Sequence, residues 1–114
     1  MLSRLLLAAA LLLVGVPAFG ATGEKHGTIP CAETATEIRA EVSNRNGLLL
    51  YNNGTVTIFH GQHNAAENRT LTAANGTPLL AGQIFIFEGG EMTGAYHCIV
   101  SSGSADLRWK ETFK

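Results

Sequence analysis

Net charge is nearly absent from this chain of 114 residues: eight Lys and Arg stand against nine Asp and Glu. A domain without a basic face has no strong electrostatic hold on nucleic acid, because neutralising phosphates needs clustered Lys and Arg. Cysteine is scarce too, with only Cys31 and Cys98. Two cysteines allow a single intramolecular pairing. No HExxH motif occurs. His60 and His63 stand three apart in "HGQH" and His26 lies far upstream, so spacing indicates no third ligand for a tetrahedral metal. The sequence predicts neither a metal nor a cofactor. It contains no internal repeat and no low-complexity run. Beyond residue 16 no apolar stretch approaches the ~20 residues that a membrane-spanning helix needs.

The N-terminus is a different matter. Arg4 supplies a positive charge, and Leu5 to Val16 are apolar apart from Gly15. Pro17 breaks the run, and Ala18-Phe19-Gly20 offers small residues at the positions a signal peptidase reads. Residues 1–20 therefore read as a secretory signal peptide, with the mature chain starting at Ala21 and released as a secreted, extracellular protein. The mature part carries seven basic and nine acidic residues and has the size of one domain. In an exported chain, two cysteines predict one structural disulfide, Cys31–Cys98. Closing so long a loop is worth up to ~4 kcal/mol by chain entropy, comparable with the whole stability of a small domain.

Local patterning predicts an α+β fold. Residues 21–30, "ATGEKHGTIP", read as a flexible arm, and residues 31–114 as one globular domain. In "CAETATEIRAEV" the apolar residues Cys31, Ala35, Ile38 and Val42 recur at helical spacing, with Pro30 before them and Asn46-Gly47 after. Next come three hairpin signals: Asn52-Asn53-Gly54 between "LLLY" and "TVTIF", Asn75-Gly76, and Glu88-Gly89-Gly90-Glu91 between "QIFIF" and "MTGAYHCIV". Pro78 marks an edge or irregular strand. "LRWKETF" alternates, with Leu107, Trp109 and Phe113 on one face and Arg108, Lys110 and Thr112 on the other. The expected architecture is one N-terminal helix followed by about six antiparallel strands. Trp109 is expected to be largely buried against the helix bearing Ile38 and Val42. The polar loop "GQHNAAENR" and the face bearing Arg108 and Lys110 are the expected contact surfaces.

Candidate chemistry is thin. Adjacent strand residues face opposite ways, so His97 cannot serve as base for Cys98. His60 reads as a solvated residue at a strand end. The residues worth testing for catalysis are His60, Glu88, His97 and Arg108. Asn53, Asn68 and Asn75 each open an Asn-x-Thr glycosylation sequon, with Pro78 directly after the third.

A leader, a short mature domain, an early cysteine and a β-rich body resemble the small secreted effectors of plant-pathogenic fungi. Two folds of that class are relevant. "CAETATEIRAEV" followed by "IFIFEGGEMTGAYHCIVSSGSADLRW" resembles the ribonuclease-like fold of mildew effectors and guanyl-specific ribonucleases, an early cysteine before a helix and then antiparallel strands. The other is the six-stranded β-sandwich effector fold of the blast fungus, which is held by one bridge and has no leading helix. The sequence departs from the ribonucleases. Their bridge normally ends near the C-terminus, whereas Cys98 lies 16 residues before the end. Their Tyr-x-His cluster and late loop histidine have no counterpart, since "SSGSAD" has no histidine. RNA cleavage needs an acid, a base and cations around the phosphate. The resemblance therefore implies a secreted, non-enzymatic interaction domain acting on a host or extracellular protein during infection. The alternatives are a small secreted ribonuclease and a periplasmic or secreted hydrolase inhibitor.

Overall fold

The computed structural model describes residues 23–88 and 92–114. The signal peptide, the Ala21 start and the Gly89–Glu91 part of the third turn lie outside the described residues. Eight strands are seen: β1 (Glu24–Cys31), β2 (Thr36–Arg39), β3 (Arg45–Asn52), β4 (Ile58–Gln62), β5 (Thr77–Leu79), β6 (Ile84–Glu88), β7 (Tyr96–Ile99) and β8 (Ala105–Phe113). They form two four-stranded antiparallel sheets, ordered β1-β8-β3-β6 and β2-β7-β4-β5. The first is named sheet A and the second sheet B. A short 3₁₀ turn, Ala65–Glu67, lies in the loop after β4. The fold is thus a β-sandwich and not α+β.

The expected helix over 31–42 does not form. Cys31 ends β1 in sheet A, while Thr36–Arg39 is β2 in sheet B, with a register shift between Glu37 and Arg39. Cys31 and Ile38 are both buried, but in different sheets. Their helical spacing is a coincidence of two strands that each place one residue in the core. A helix of a dozen residues is marginal without a packing surface, and pairing with β7 supplies what local propensity does not.

The arm is also ordered over most of its length. β1 pairs with β8 from Glu24↔Thr112 through Cys31↔Ala105. Its polarity reflects an edge position, where one face meets water.

The turn signals mark reversals, but none makes the expected hairpin. Asn52-Asn53-Gly54 carries the chain from β3 in sheet A to β4 in sheet B. The fully buried Asn52 side chain builds this corner. Its Nδ2 donates to Val56 O (2.9 Å) and Leu79 O (2.8 Å), and its Oδ1 accepts from Gly54 N (2.8 Å). At Asn75-Gly76 residues 70–74 form no strand, and β5 pairs with β4 instead. The third turn likewise separates β6 in sheet A from β7 in sheet B.

The core lies between the sheets. Leu48, Leu50 and Leu107 from sheet A meet Ile58, Leu79 and Tyr96 from sheet B, each full Leu or Ile burial contributing about 2 kcal/mol. The Cys31–Cys98 disulfide joins β1 to β7 across this core, with the Cα atoms 5.6 Å apart. Trp109 is half-buried, against the expectation. It lies beneath the Arg39 guanidinium, 4.3 Å from its ring, and on Gly27, where an added Cβ would approach the indole to 2.8 Å.

Candidate interaction surface

The four residues singled out for catalysis do not converge. His60 points from β4 into the core. Its ring lies 4.4 Å from that of Phe85 in the opposite sheet, and its Nδ1 is 3.0 Å from Tyr96 Oη. It is 1% exposed and not solvated, and its Nε2 has no hydrogen-bond partner among the described residues. Burial lowers its pKa to about 4. The same burial raises the Tyr96 phenol to about 12.

His97 is on β7 beside Cys98, which is turned inward by its bridge, so the imidazole faces the opposite side of sheet B. That outer face is roofed by residues 63–76. The His63 ring lies 5.1 Å from that of His97, and His63 Nδ1 accepts the Leu71 N–H at 3.0 Å. Leu71 is buried over Gly61 and Gly76, where an added Cβ would meet its Cδ1 at 3.3 and 2.9 Å. Burial, and then the neighbouring charge of His63, lower the His97 pKa, while Glu37 opposes them. Arg108 and Glu88 lie on sheet A, exposed and separated by β3.

The sequence reading missed a buried ionic node at one end of the sandwich. Arg45 and Glu111 are 1% and 0% exposed. Arg45 Nε donates to Glu111 Oε2 at 2.6 Å, and Arg39 Nε to Oε1 at 2.6 Å. Arg45 also donates to the carbonyls of Met92, Gly94 and Ala40 at 2.7–2.8 Å. One guanidinium thus ties β3 to β8 and to two loops. The signal was available: Glu111 shares the inward parity of Leu107 and Trp109, and an inward carboxylate requires a buried cation.

The outer face of sheet A has no roof among the described residues. Ile84 and Ile86 on β6 are 58% and 56% exposed, and Leu80, at the start of the turn from β5 to β6, is 51% exposed. In register, Ile84 stands opposite Tyr51 and Ile86 opposite Leu49. On the next strand Arg108 lies opposite Tyr51 and Lys110 opposite Leu49. The result is an apolar strip along β6 and β3, bordered by two cations. Among the described residues those cations have only loose exposed partners, Asp106 at 3.6 Å and Glu24 at 4.0 Å. Gly47 leaves a shallow groove beside Leu49, Ile86, Lys110 and Thr112.

β6 is also an edge: no described strand pairs with its far side. The other three edges are blunted in the usual ways. β1 carries Lys25, Gly27 and Pro30, β2 has four residues and an irregular register, and β5 has three residues including Pro78. β6 presents Ile-Phe-Ile-Phe, with its first charge at Glu88. Asn52 N–H donates to Gln83 O at 3.1 Å. By antiparallel alternation Phe85 and Phe87 then bond to β3, while Ile84, Ile86 and Glu88 turn their main-chain groups outward.

The loop 61–69, expected as a contact surface, borders a small cleft with Glu41, His63, Glu67 and Arg69 at its rim. Arg69 is engaged there by Gln62 (2.8 Å) and Glu67. His26 stands opposite Lys110 on the outer face of sheet A. The sequon residues Asn53, Asn68 and Asn75 are all exposed. Asn53 Nδ2 donates to Asp106 (2.9 Å) and Asn75 Nδ2 to Thr70 O (2.8 Å), while Asn68 sits at φ 61° after the 3₁₀ turn. Among the described residues no group of three or more His, Cys, Asp and Glu is placed to hold a metal ion. No described helix is long and apolar enough to cross a membrane. No protein-family model matches the chain, and no curated protein matches it in sequence.

Proposed function

We propose that this is a secreted, non-enzymatic interaction domain that takes an extended segment of a host or extracellular protein onto the open edge of β6. The observation that carries the reading is that edge itself: uncharged through Phe87, unpaired on one side among the described strands, with Ile84 and Ile86 turned to solvent. An added strand would gain main-chain hydrogen bonds from the edge and specificity from the outer-face strip. The partner segment that fits has branched apolar residues at alternate positions, to lie beside Ile84 and Ile86. The action on a host during infection follows from the resemblance to fungal effectors. The leader-like N-terminus supports export. The separation of His60, His97, Glu88 and Arg108 supports a binding role over RNA cleavage, and the leading helix of the ribonuclease-like resemblance is absent from the described residues.

The test is hydrogen exchange on the mature chain with a panel of alternating Ile/Val/Thr peptides. At about 1 µM chain, where the edge is free of other copies, binding peptides should protect the amides of Ile84, Ile86 and Glu88, which face away from β3, and Ile86→Lys should remove that protection. Protection confined to the 63–76 loop, or RNA cleavage that His60→Ala or His97→Ala abolishes, would refute the reading.

A further inference from the structure

The sequence of β6 is complementary to itself. We infer that the free protein closes this edge with a second copy, β6 against β6 in antiparallel register about a two-fold axis at Phe85. This rests on the reading of β6 as the open binding edge, and it names an occupant for the time before a foreign segment arrives.

Parity and charge select the register. Cross-strand neighbours must share a face, so the axis passes through a residue. An axis at Ile86 places Glu88 opposite the partner's Ile84, an anion against an apolar side chain. An axis at Phe85 places Ile84 opposite the partner's Ile86 and Ile86 opposite the partner's Ile84. Glu88 then faces the partner's Gly82, so no like charges meet. Ile84 and Ile86 are also the residues whose main-chain groups point outward, so they would form the hydrogen-bonded pairs. The half-buried Phe85 would meet the partner's Phe85 on the core-facing side and extend the core across the join.

The same arrangement explains why pairing stops at two. Joining at β6 gives one continuous sheet, β1-β8-β3-β6 followed by its mirror order, whose outer edges are both β1. That strand carries Lys25 and Pro30 and does not template another copy. A molecule with one open edge makes a closed isologous dimer, whereas two open edges would make a fibre. On the outer face the strips of Leu49, Tyr51, Ile84 and Ile86 from both copies become contiguous, bordered on each side by Arg108 and Lys110.

Sedimentation equilibrium of the mature chain tests this over concentrations from about 1 to 200 µM. The mass should rise from one copy to two and go no higher. Ile86→Glu alone should weaken association roughly tenfold or more, because it alters two symmetry-related pairs. Ile84→Lys combined with Ile86→Glu in the same chain should restore it, since the Phe85-centred register sets opposite charges across the join. Thermal unfolding at low concentration verifies that each variant folds. A single-copy mass throughout, a dimer indifferent to Ile86→Glu, growth beyond two copies, or no rescue by the double substitution would each overturn the inference. A dimer that no extended peptide dissociates would stand while the proposed function fell. Peptide binding at β6 without a dimer would do the reverse.

Discussion

The two outer faces of the sandwich have opposite fates. Sheet B is covered by its own chain: Leu71 fills the space above Gly61 and Gly76, His63 lies on His97, and the edges are short or carry proline. Sheet A shows Ile84, Ile86, Leu49 and Tyr51 on a face that no other described residues cover, and it ends in an apolar edge. Both sheets meet the same core and are joined by the same bridge, so stability does not require the difference. A chain able to roof one sheet with a loop was not prevented from roofing the other. The uncovered face is where a partner has room.

The comparison can be broken or sharpened by substitution. The largest effect should come from the node that closes one end of both sheets. Arg45→Met leaves Glu111 buried beside only Arg39 and should cost about 3–5 kcal/mol in urea unfolding. Arg45→Met with Glu111→Leu should recover much of that loss.

Acid should act next, through sheet B. The folded-state pKa of His60 is about 4, pushed by burial below the ordinary imidazole value of 6.5. The unfolded chain therefore binds more protons between those values, and the stability present above pH 6.5 is lost as the pH falls toward 4. The full difference is about 3 kcal/mol, and the downward shift of His97 adds to it in the same sense. Urea midpoints at pH 7 and 4.5 measure it, and His60→Phe should flatten the dependence.

Removing the roof should cost less. Leu71→Ala should destabilise by about 2 kcal/mol and raise exchange at the amides around His97. On the open face, Ile84→Ser with Ile86→Ser should change the stability of the monomer by no more than about 0.5 kcal/mol per site. A large loss there would mean that the strip is structural, and the contrast between the faces would collapse.

Parts of this structure could be read from the sequence. Alternation in "LRWKETF" gives the inward and outward faces of β8, because strand parity is a local property. Two cysteines behind a leader-like N-terminus allow a single pairing, and that pairing is the bridge. The helix over 31–42 failed because four apolar positions cannot distinguish one helix from two strand ends that enter the core in turn. The hairpins failed for a related reason. Asn-Gly permits a reversal, but the chain uses the buried Asn52 to turn a corner between sheets, and nothing local separates the two outcomes. The polarity of His60 suggests a solvated strand end, but parity governs its place: it shares the inward face of β4 with Ile58. The β6 edge had the clearest signal, an uncharged Ile-Phe-Ile-Phe run. Only strand order reveals that no described strand lies on one side of it.

One consequence of the strand order concerns time. β8 lies inside sheet A between β1 and β3, yet it is the last of the described strands along the chain. Until it emerges, β1 has no neighbour and β3 pairs only with β6, so sheet A cannot assemble progressively from the N-terminus. Such long-range pairing places folding in the slow range of small domains, milliseconds to seconds. During that interval β6 is already made and unshielded. A nascent chain stalled short of residue 105 would carry the β6 edge beside a β3 whose other side still lacks β8, so the partial sheet offers two open edges where the finished one offers a single apolar edge among the described strands.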